Sequence, residues 1–204
     1  AWFGGKYRLL IEKGIDGFWN DMNEPAIFYS EKRLKKVFEK LQEYQGQNLD
    51  VNTFFEMKDL VAGISNNKED YASFYHNYRG KKYCHNTVHN LFGYYMTRAA
   101  AEAFEKYVPE KRMLLFSRAS YIGMHRYGGI WQGDNMAWWS HLKMNLKMMP
   151  SLNMCGFLYT GADIGGFGAD TTEDLLLRWL EFAVFTPLMR NHSARGTRRQ
   201  EVYR

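Results

Sequence analysis

Cysteine is scarce in this chain. Only Cys84 and Cys155 occur, far apart and neither inside a CxxC unit, so no disulfide framework is implied. Unpaired thiols are compatible with the cytoplasm but assign no compartment. No apolar run reaches the roughly 18 residues of a membrane span and no leader-like pattern is read, so no membrane partner is expected. Internal repeats and low-complexity tracts are absent. The glycine-rich GGFG at 165–168 lacks the Lys-Ser/Thr that completes a phosphate-binding loop. Charge of one sign does not dominate either: 27 basic against 22 acidic residues leave +5, widely spread. The basic run KRLKK (32–36) falls on a helical pattern with Leu34, Val37, Phe38 and Leu41 on the apolar face. It reads as a solvated helix face, and neither it nor RGTRR (195–199) calls for a nucleic-acid partner.

Aromatic residues, by contrast, are plentiful, with 14 Tyr, 14 Phe and 6 Trp in a chain that is 46% hydrophobic. That composition fits a dense core or a cleft lined with flat rings. The pattern along the chain alternates. Residues 5–13 carry a helical period ended by Gly14, and Ile15–Asn20 reads as a strand apolar on both faces. The opening stretch AWFGGKYRLLIEKG reads as the end of a loop running into that helix, so the chain is expected to be a piece of a larger protein. Residues 26–80 are more polar, with turn-rich joints at QGQNLD, SNNKED and YRGKK, and read as an inserted subdomain with one or two helices. A helix is expected over 86–106, strands over 113–117 and 129–131, a helix over 138–149, a strand over 156–160 and a helix over 171–185 capped at Thr171. The domain reading is therefore strand and preceding helix at 1–25, insertion at 26–80, and the remainder at 81–204.

This alternation predicts an α/β fold with a parallel sheet. Polar residues fall in a telling place: Asp21, Arg118, Asp134, Asp163 and His192 each follow an apolar strand-like run. In a (β/α)₈ barrel the active site is built at that end of the strands.

Asp21 closes the stretch GFWNDMNEPAIF (17–28). A carboxylate there suits nucleophilic attack on an anomeric carbon, provided donors or cations such as Arg118 or Arg190 keep it ionised. The plain alternative is an Asx turn closing a strand. Asp134 lies in GGIWQGDNMAWW (128–139), flanked by Trp131, Trp138 and Trp139. Apolar rings suit a carboxyl that must hold a proton as general acid, and an ordinary turn between packed aromatics is again the alternative. Cys84, His85 and His89 mimic metal ligands, but without a second ligand pair they read as a helix start, and no metal is expected. His76, His125 and His141 read as surface or packed histidines without partners. Met148 and Met149 beside Pro150 read as core filling.

Residues 15–25, IDGFWNDMNEP, resemble the nucleophile signature of glycoside hydrolase family 31. FSR (116–118), RYGGIWQGDN (126–135), GADIGGF (161–167) and RNHS (190–193) follow in the family's order. The resemblance implies a (β/α)₈ barrel, of which this chain would hold about strands four to eight, with the insertion after the nucleophile strand. It implies a retaining α-glucosidase that forms a covalent glycosyl-enzyme, with α-xylosidase, transglycosylase or lyase outcomes on the same carboxylates as alternatives. A non-catalytic carbohydrate-binding barrel is the alternative from another class. Under the resemblance Asp21 is the nucleophile and Asp134 the general acid/base. Arg118 and His192 would bond sugar hydroxyls, Trp19, Met22, Trp131 and Phe167 would wall the pocket, and Asp163 and Arg190 would orient nucleophile or sugar. The implied partners are an α-linked oligosaccharide and the remaining domains of the same enzyme, with no cofactor.

Overall fold

The computed structural model describes residues 2–26, 29–65, 67–201 and 203. Asn66 of the SNNKED joint and Ile27 and Phe28 of the GFWNDMNEPAIF stretch lie outside them. The first elements follow from short apolar spacings. Helices α1 (Trp2–Lys6) and α2 (Arg8–Ile11) divide the expected single helix at Tyr7, and Gly14 ends the run with φ +86°. Strand β1 (Gly17–Asn20) follows, shorter than expected: Ile15 and Asp16 are exposed, and the pairing with the next strand starts at Gly17. These residues, together with 93–204, form one compact unit, while residues 22–92 form another.

The second unit holds more regular structure than its composition suggests. Helices α3 (Glu31–Glu43), α4 (Val51–Ala62) and α5 (Lys68–Ser73) are each opened by a polar cap. Ser30 accepts from the Arg33 amide at 3.2 Å, Asp50 from Thr53 at 2.8 Å and Asn67 from Glu69 at 2.9 Å. Asp50 and Asn67 come from the joints QGQNLD and SNNKED, whose turn-forming residues double as helix starts. The joint YRGKK is the tip of a hairpin of β2 (Tyr75–Tyr78) and β3 (Lys81–Cys84), antiparallel, with Arg79 and Gly80 at φ 50° and 74°. Two consecutive left-handed residues match the right-handed strand twist. Helix α6 (His85–Val88) follows the hairpin directly. The basic run KRLKK is also less solvated than expected. Arg33 reaches the buried Asp70 at 2.7 Å and Glu69 at 2.7 Å, and Ser30 donates to Asp70 at 2.7 Å, tying α3 to α5.

The helix expected over 86–106 is broken. After α6, Val88 leaves helical geometry at φ −128°, a 3₁₀ turn spans His89–Leu91, and α7 (Phe92–Tyr107) begins. Side-chain contacts explain the break: Tyr71 stacks on His89 with centroids 5.8 Å apart, and His76 Nε2 lies 2.8 Å from His85 Nδ1.

Beyond α7 the strands β4 (Leu114–Ser117) and β5 (Gly129–Trp131) arrive as expected. Helix α8 (Trp139–Met154) continues through Pro150, which is exposed, instead of stopping before it. It ends at Gly156, φ +91°, where the Phe157 amide donates back to the Leu152 carbonyl at 3.0 Å. That helix-ending turn takes up the start of the strand expected over 156–160, which is shortened to β6 (Thr160–Gly161). Strands β7 (Asp163–Ile164) and β8 (Arg190–Asn191) pair in parallel on either side of α9 (Glu173–Ala183), whose cap is Thr172, accepting from Leu175 at 3.3 Å, not Thr171.

The main sheet runs β1-β4-β5-β6, parallel throughout, as the sequence predicts for an α/β fold. One face lies against helices: Phe18 and Leu115 pack with Tyr7, Ala100 and Phe104, and Ile130 packs with Met124 and Phe157. Side chains alternate along a strand, so Trp19, Phe116 and Trp131 emerge on the other face and pack together there. A third cluster around Trp179 and Leu175 joins α9 to Ala162, Ile164 and Ala137.

Asp70 yields a measurable consequence. Burial would raise its pKa, but hydrogen bonds from Ser30 and Arg33 and the Arg33 charge outweigh it and hold the carboxyl below its ordinary value. A depressed carboxyl stabilises the fold above its unfolded pKa and loses that contribution as pH falls through the folded value. Asp70→Asn is therefore expected to destabilise residues 22–92 by roughly 2 kcal/mol at pH 7. The difference from wild type should shrink below about pH 4. Hydrogen-exchange protection of α3 and α5 at both pH values checks this, and an equal loss at each would contradict it.

Candidate active site

Parallel pairing sends every strand of the sheet out at the same edge, and the register sets which residues are level there. Asn20 pairs with Ser117 and Ser117 with Ile130. The next residues along, Asp21, Arg118 and Trp131, therefore leave the edge side by side. The Arg118 amide donates to the Asn20 carbonyl at 3.0 Å, and Arg118 Nη1 lies 3.1 Å from Asp21 Oδ1. Asp21 is half exposed and Arg118 mostly covered, so the cation is the fixed member of the pair and the carboxylate faces outward. Behind Asp21 on the same strand, Asn20 is held from the helix side by the Tyr7 hydroxyl at 2.5 Å.

The aromatic residues of this edge form a layer. Trp19 stacks on Phe116 with centroids 5.1 Å apart and meets Trp131 at a 39° tilt, 4.4 Å away. The Arg190 guanidinium lies over Trp19, 4.0 Å from the ring centre, and within 5.8 Å of Trp131. From there it donates to Asp163, which is 1% exposed. Burial pushes the Asp163 carboxyl above the ordinary carboxylate range, and the nearby Asp134 adds to the rise. Arg190 and His192 pull it the other way without cancelling burial. His192, just past β8, stacks on Phe167 with centroids 5.3 Å apart and planes 27° from parallel.

Asp134 is exposed on a turn three residues beyond β5, with Gly133 at φ 77°. Its neighbours are stitched to the segment after β7. Asn135 donates through Nδ2 to the Asp163 carbonyl at 2.9 Å, and its own carbonyl accepts from Phe167 at 2.7 Å and Gly168 at 3.0 Å. Gly166 is required here, since at φ +100° an added Cβ would lie 2.4 Å from the Ala137 backbone. His141, read from the sequence as having no partner, accepts from the Met136 amide at 2.9 Å through Nδ1. A histidine five residues past a turn carries no sequence signal for such a bond. Asn135 was legible only as a turn former.

The structure thus joins Asp21 to Arg118, links Trp19, Trp131, Arg190 and Asp163 in one contact chain, puts Asp134 and His192 within electrostatic range of Asp163, and pairs Phe167 with His192. Met22 belongs to the other unit, where it is exposed and left-handed at φ 54°. Among the described residues no group of three or more His, Cys, Asp or Glu side chains is arranged to hold a metal ion. Among the described residues no helix is long and apolar enough to cross a membrane.

Comparison with known proteins places these residues in context. The family model described as the glycosyl hydrolases family 31 TIM-barrel domain matches residues 1–204. Alpha-glucosidase 2 of Bacillus thermoamyloliquefaciens is 34% identical over 202 residues, covering 99% of this chain and 21% of that protein. An alpha-glucosidase of Saccharolobus solfataricus is 31% identical over 95% of this chain and 26% of its own length. Among solved structures, a family 31 alpha-glucosidase from Bacteroides thetaiotaomicron superposes with a TM-score of 0.62 at 30% identity, covering 93% of this chain and 24% of its own. The chain spans about a fifth to a quarter of the length of these relatives.

The Asp163–Arg190 pair sets a pH-dependent demand on stability. Arg190→Met removes the partner of a buried carboxyl, at a cost of roughly 3 kcal/mol when that carboxyl is charged. A folded pKa raised above the unfolded one favours folding at low pH and loses that advantage as pH rises through the folded value. The variant is therefore expected to lose more stability at pH 7.5 than at pH 4.5. Denaturant unfolding at the two pH values tests it, and a larger loss in acid would contradict the assignment.

Proposed function

Because the chain belongs to glycosyl hydrolase family 31, we propose that it carries the paired carboxylates of a retaining α-glucosidase. The observation that bears most weight is that Asp21, paired with Arg118, leaves the same edge of one parallel sheet as the strand leading to Asp134. In this reading Asp134 protonates the glycosidic oxygen while Asp21 attacks the anomeric carbon from the opposite face. The carbon–oxygen bond to the leaving sugar breaks as the bond to the Asp21 carboxylate forms. Asp134, now ionised, takes a proton from water, the oxygen of that water attacks the same carbon, and the ester to Asp21 breaks to free an α-configured sugar. Arg118 balances the charge on Asp21 and fixes one of its oxygens. No metal or organic cofactor enters these steps.

The remaining roles are part of the same proposal. Arg118 and His192 bond hydroxyls of the bound sugar, and Trp19, Trp131 and Phe167 wall its pocket. Asp163 and Arg190 orient the nucleophile or the sugar. The strands described here correspond to about the fourth to eighth of the barrel. Residues 1–25 and 81–204 belong to it, residues 26–80 are an insertion after the nucleophile strand, and the other strands lie on remaining parts of the same enzyme. The substrate is a terminal α-linked glucoside of an oligosaccharide. Several relatives of this chain are themselves named alpha-glucosidases.

Azide trapping separates the two carboxylates. In the full-length enzyme carrying this chain, Asp21→Ala should abolish turnover of an aryl α-glucoside while circular dichroism stays native. Azide should then replace the missing nucleophile and yield the β-glucosyl azide. Asp134→Ala should lose roughly 10²–10⁴-fold in kcat, and azide should intercept its covalent intermediate to give the α-glucosyl azide. The same product from both variants, or wild-type turnover in Asp21→Ala, would refute the pairing. An enzyme that turns over the matching α-xyloside but not the glucoside would keep the carboxylates and change the sugar.

A further inference from the structure

Asp21 and Asp134 are held in different ways. Asp21 follows directly on β1, where the ladder and Arg118 fix it. Asp134 has no ladder of its own: the last such bond on its strand runs from the Gln132 amide to the Gly161 carbonyl at 2.9 Å. From there the turn depends on anchors at the residues after it. Asn135 donates to the Asp163 carbonyl and accepts from Phe167 and Gly168, and the Ala137 amide donates to Gly168 at 2.7 Å. Between these two, the Met136 amide donates to His141 Nδ1 at 2.9 Å. Among the described residues it is the amide of residues 135–138 that a side chain holds; the other three bond to backbone carbonyls.

We propose that His141 is a positioning residue for Asp134: as a neutral imidazole with its proton on Nε2, it fixes the Met136 amide and so the turn that presents the proton donor. An N–H pointing at Nδ1 requires a lone pair there, which neither the other neutral tautomer nor the imidazolium offers. The ring is held for this task. It lies in the first turn of α8, its own amide donates to the Trp138 carbonyl at 3.0 Å, and Trp138 meets it edge-on with centroids 5.2 Å apart. Removing the acceptor leaves the Met136 amide unpaired and lets the turn shift. A shift of about 1 Å at a reacting group costs on the order of 100-fold in rate. Because Asp21 stands on a separate strand, the loss falls on proton donation and not on nucleophilic attack.

This inference rests on the acid/base role of Asp134, and leaving-group dependence tests both separately. In the full-length enzyme, kcat/KM is measured for an alkyl α-glucoside, whose leaving oxygen needs a proton, and for α-glucosyl fluoride, whose fluoride departs without one. Asp134→Ala should lose activity mainly on the alkyl glucoside; equal losses on both substrates would dispose of the acid/base role itself. His141→Ala should follow the same selectivity, losing roughly 100-fold on the alkyl glucoside while staying close to wild type on the fluoride. His141→Asn places an accepting oxygen near the Nδ1 position and should recover most of the loss. Where the alanine variant folds poorly, His141→Leu fills the space without an acceptor and repeats the comparison. With Asp134→Ala selective, the positioning role is overturned if the His141 variants lose equally on both substrates, lose nothing on the alkyl glucoside, or if asparagine does no better than alanine.

Discussion

The Asp163–Arg190 contact is the constraint on which the edge of the sheet depends. A carboxyl that is 1% exposed is costly to ionise, and Arg190 is the cation bonded to it. Satisfying Asp163 fixes the guanidinium, and the guanidinium in turn lies over Trp19 and close to Trp131. Trp19 and Trp131 belong to β1 and β5, with β4 between them, so one cation gathers side chains from β1, β5, β7 and β8. The register of β1, β4 and β5 decides that Asp21 and Arg118 are level. Arg190 decides that this edge and the β7–β8 pair share one centre.

Much of that edge was legible in the sequence because its causes are local. Apolar runs of strand length ending in Asp21 and Arg118 gave the ladder, since strands apolar on both faces belong to covered parallel sheets. Strands of two residues leave no periodicity to read, so β7 and β8 went unseen even though Asp163, Arg190 and His192 around them did not. The stretch 156–160 misled for a related reason: Phe157, Leu158 and Tyr159 look like a strand, but Gly156 at φ +91° turns the Phe157 amide back to α8, and the chain meets β5 only from the Tyr159 carbonyl onward. Pro150 did not stop α8: it and Leu146, whose carbonyl loses its helical partner, are both exposed to water.

Residues 22–92 show a different limit of sequence reading. Asp and Asn are ambiguous between turns and helix caps, and only the downstream pattern decides. In that unit Asp50 and Asn67 are caps, and Ser30 both caps α3 and donates to Asp70. The buried Asp70 explains why one arginine of an otherwise solvated basic face is fixed. Partners 37 residues apart, as Arg33 and Asp70 are, leave no mark in a helical period.

Under the proposed roles the two carboxylates have different needs. A group that attacks carbon needs a fixed distance and angle, and the end of a strand held by its ladder provides both. A group that first gives and then takes a proton must serve two partners in turn, a leaving oxygen and a water, and an exposed turn gives it reach. Reach without control would cost rate, so the turn bearing Asp134 is tied down at the residues that follow it: by Asn135, by the close approach of Gly166 to Ala137, and by the bond from Met136 to His141. None of these ties touches Asp134 itself, which leaves the carboxyl exposed while the backbone beneath it is held. The sequence advertises the candidate acid and conceals its supports, because a carboxylate is recognised by its type and a support only by what it reaches.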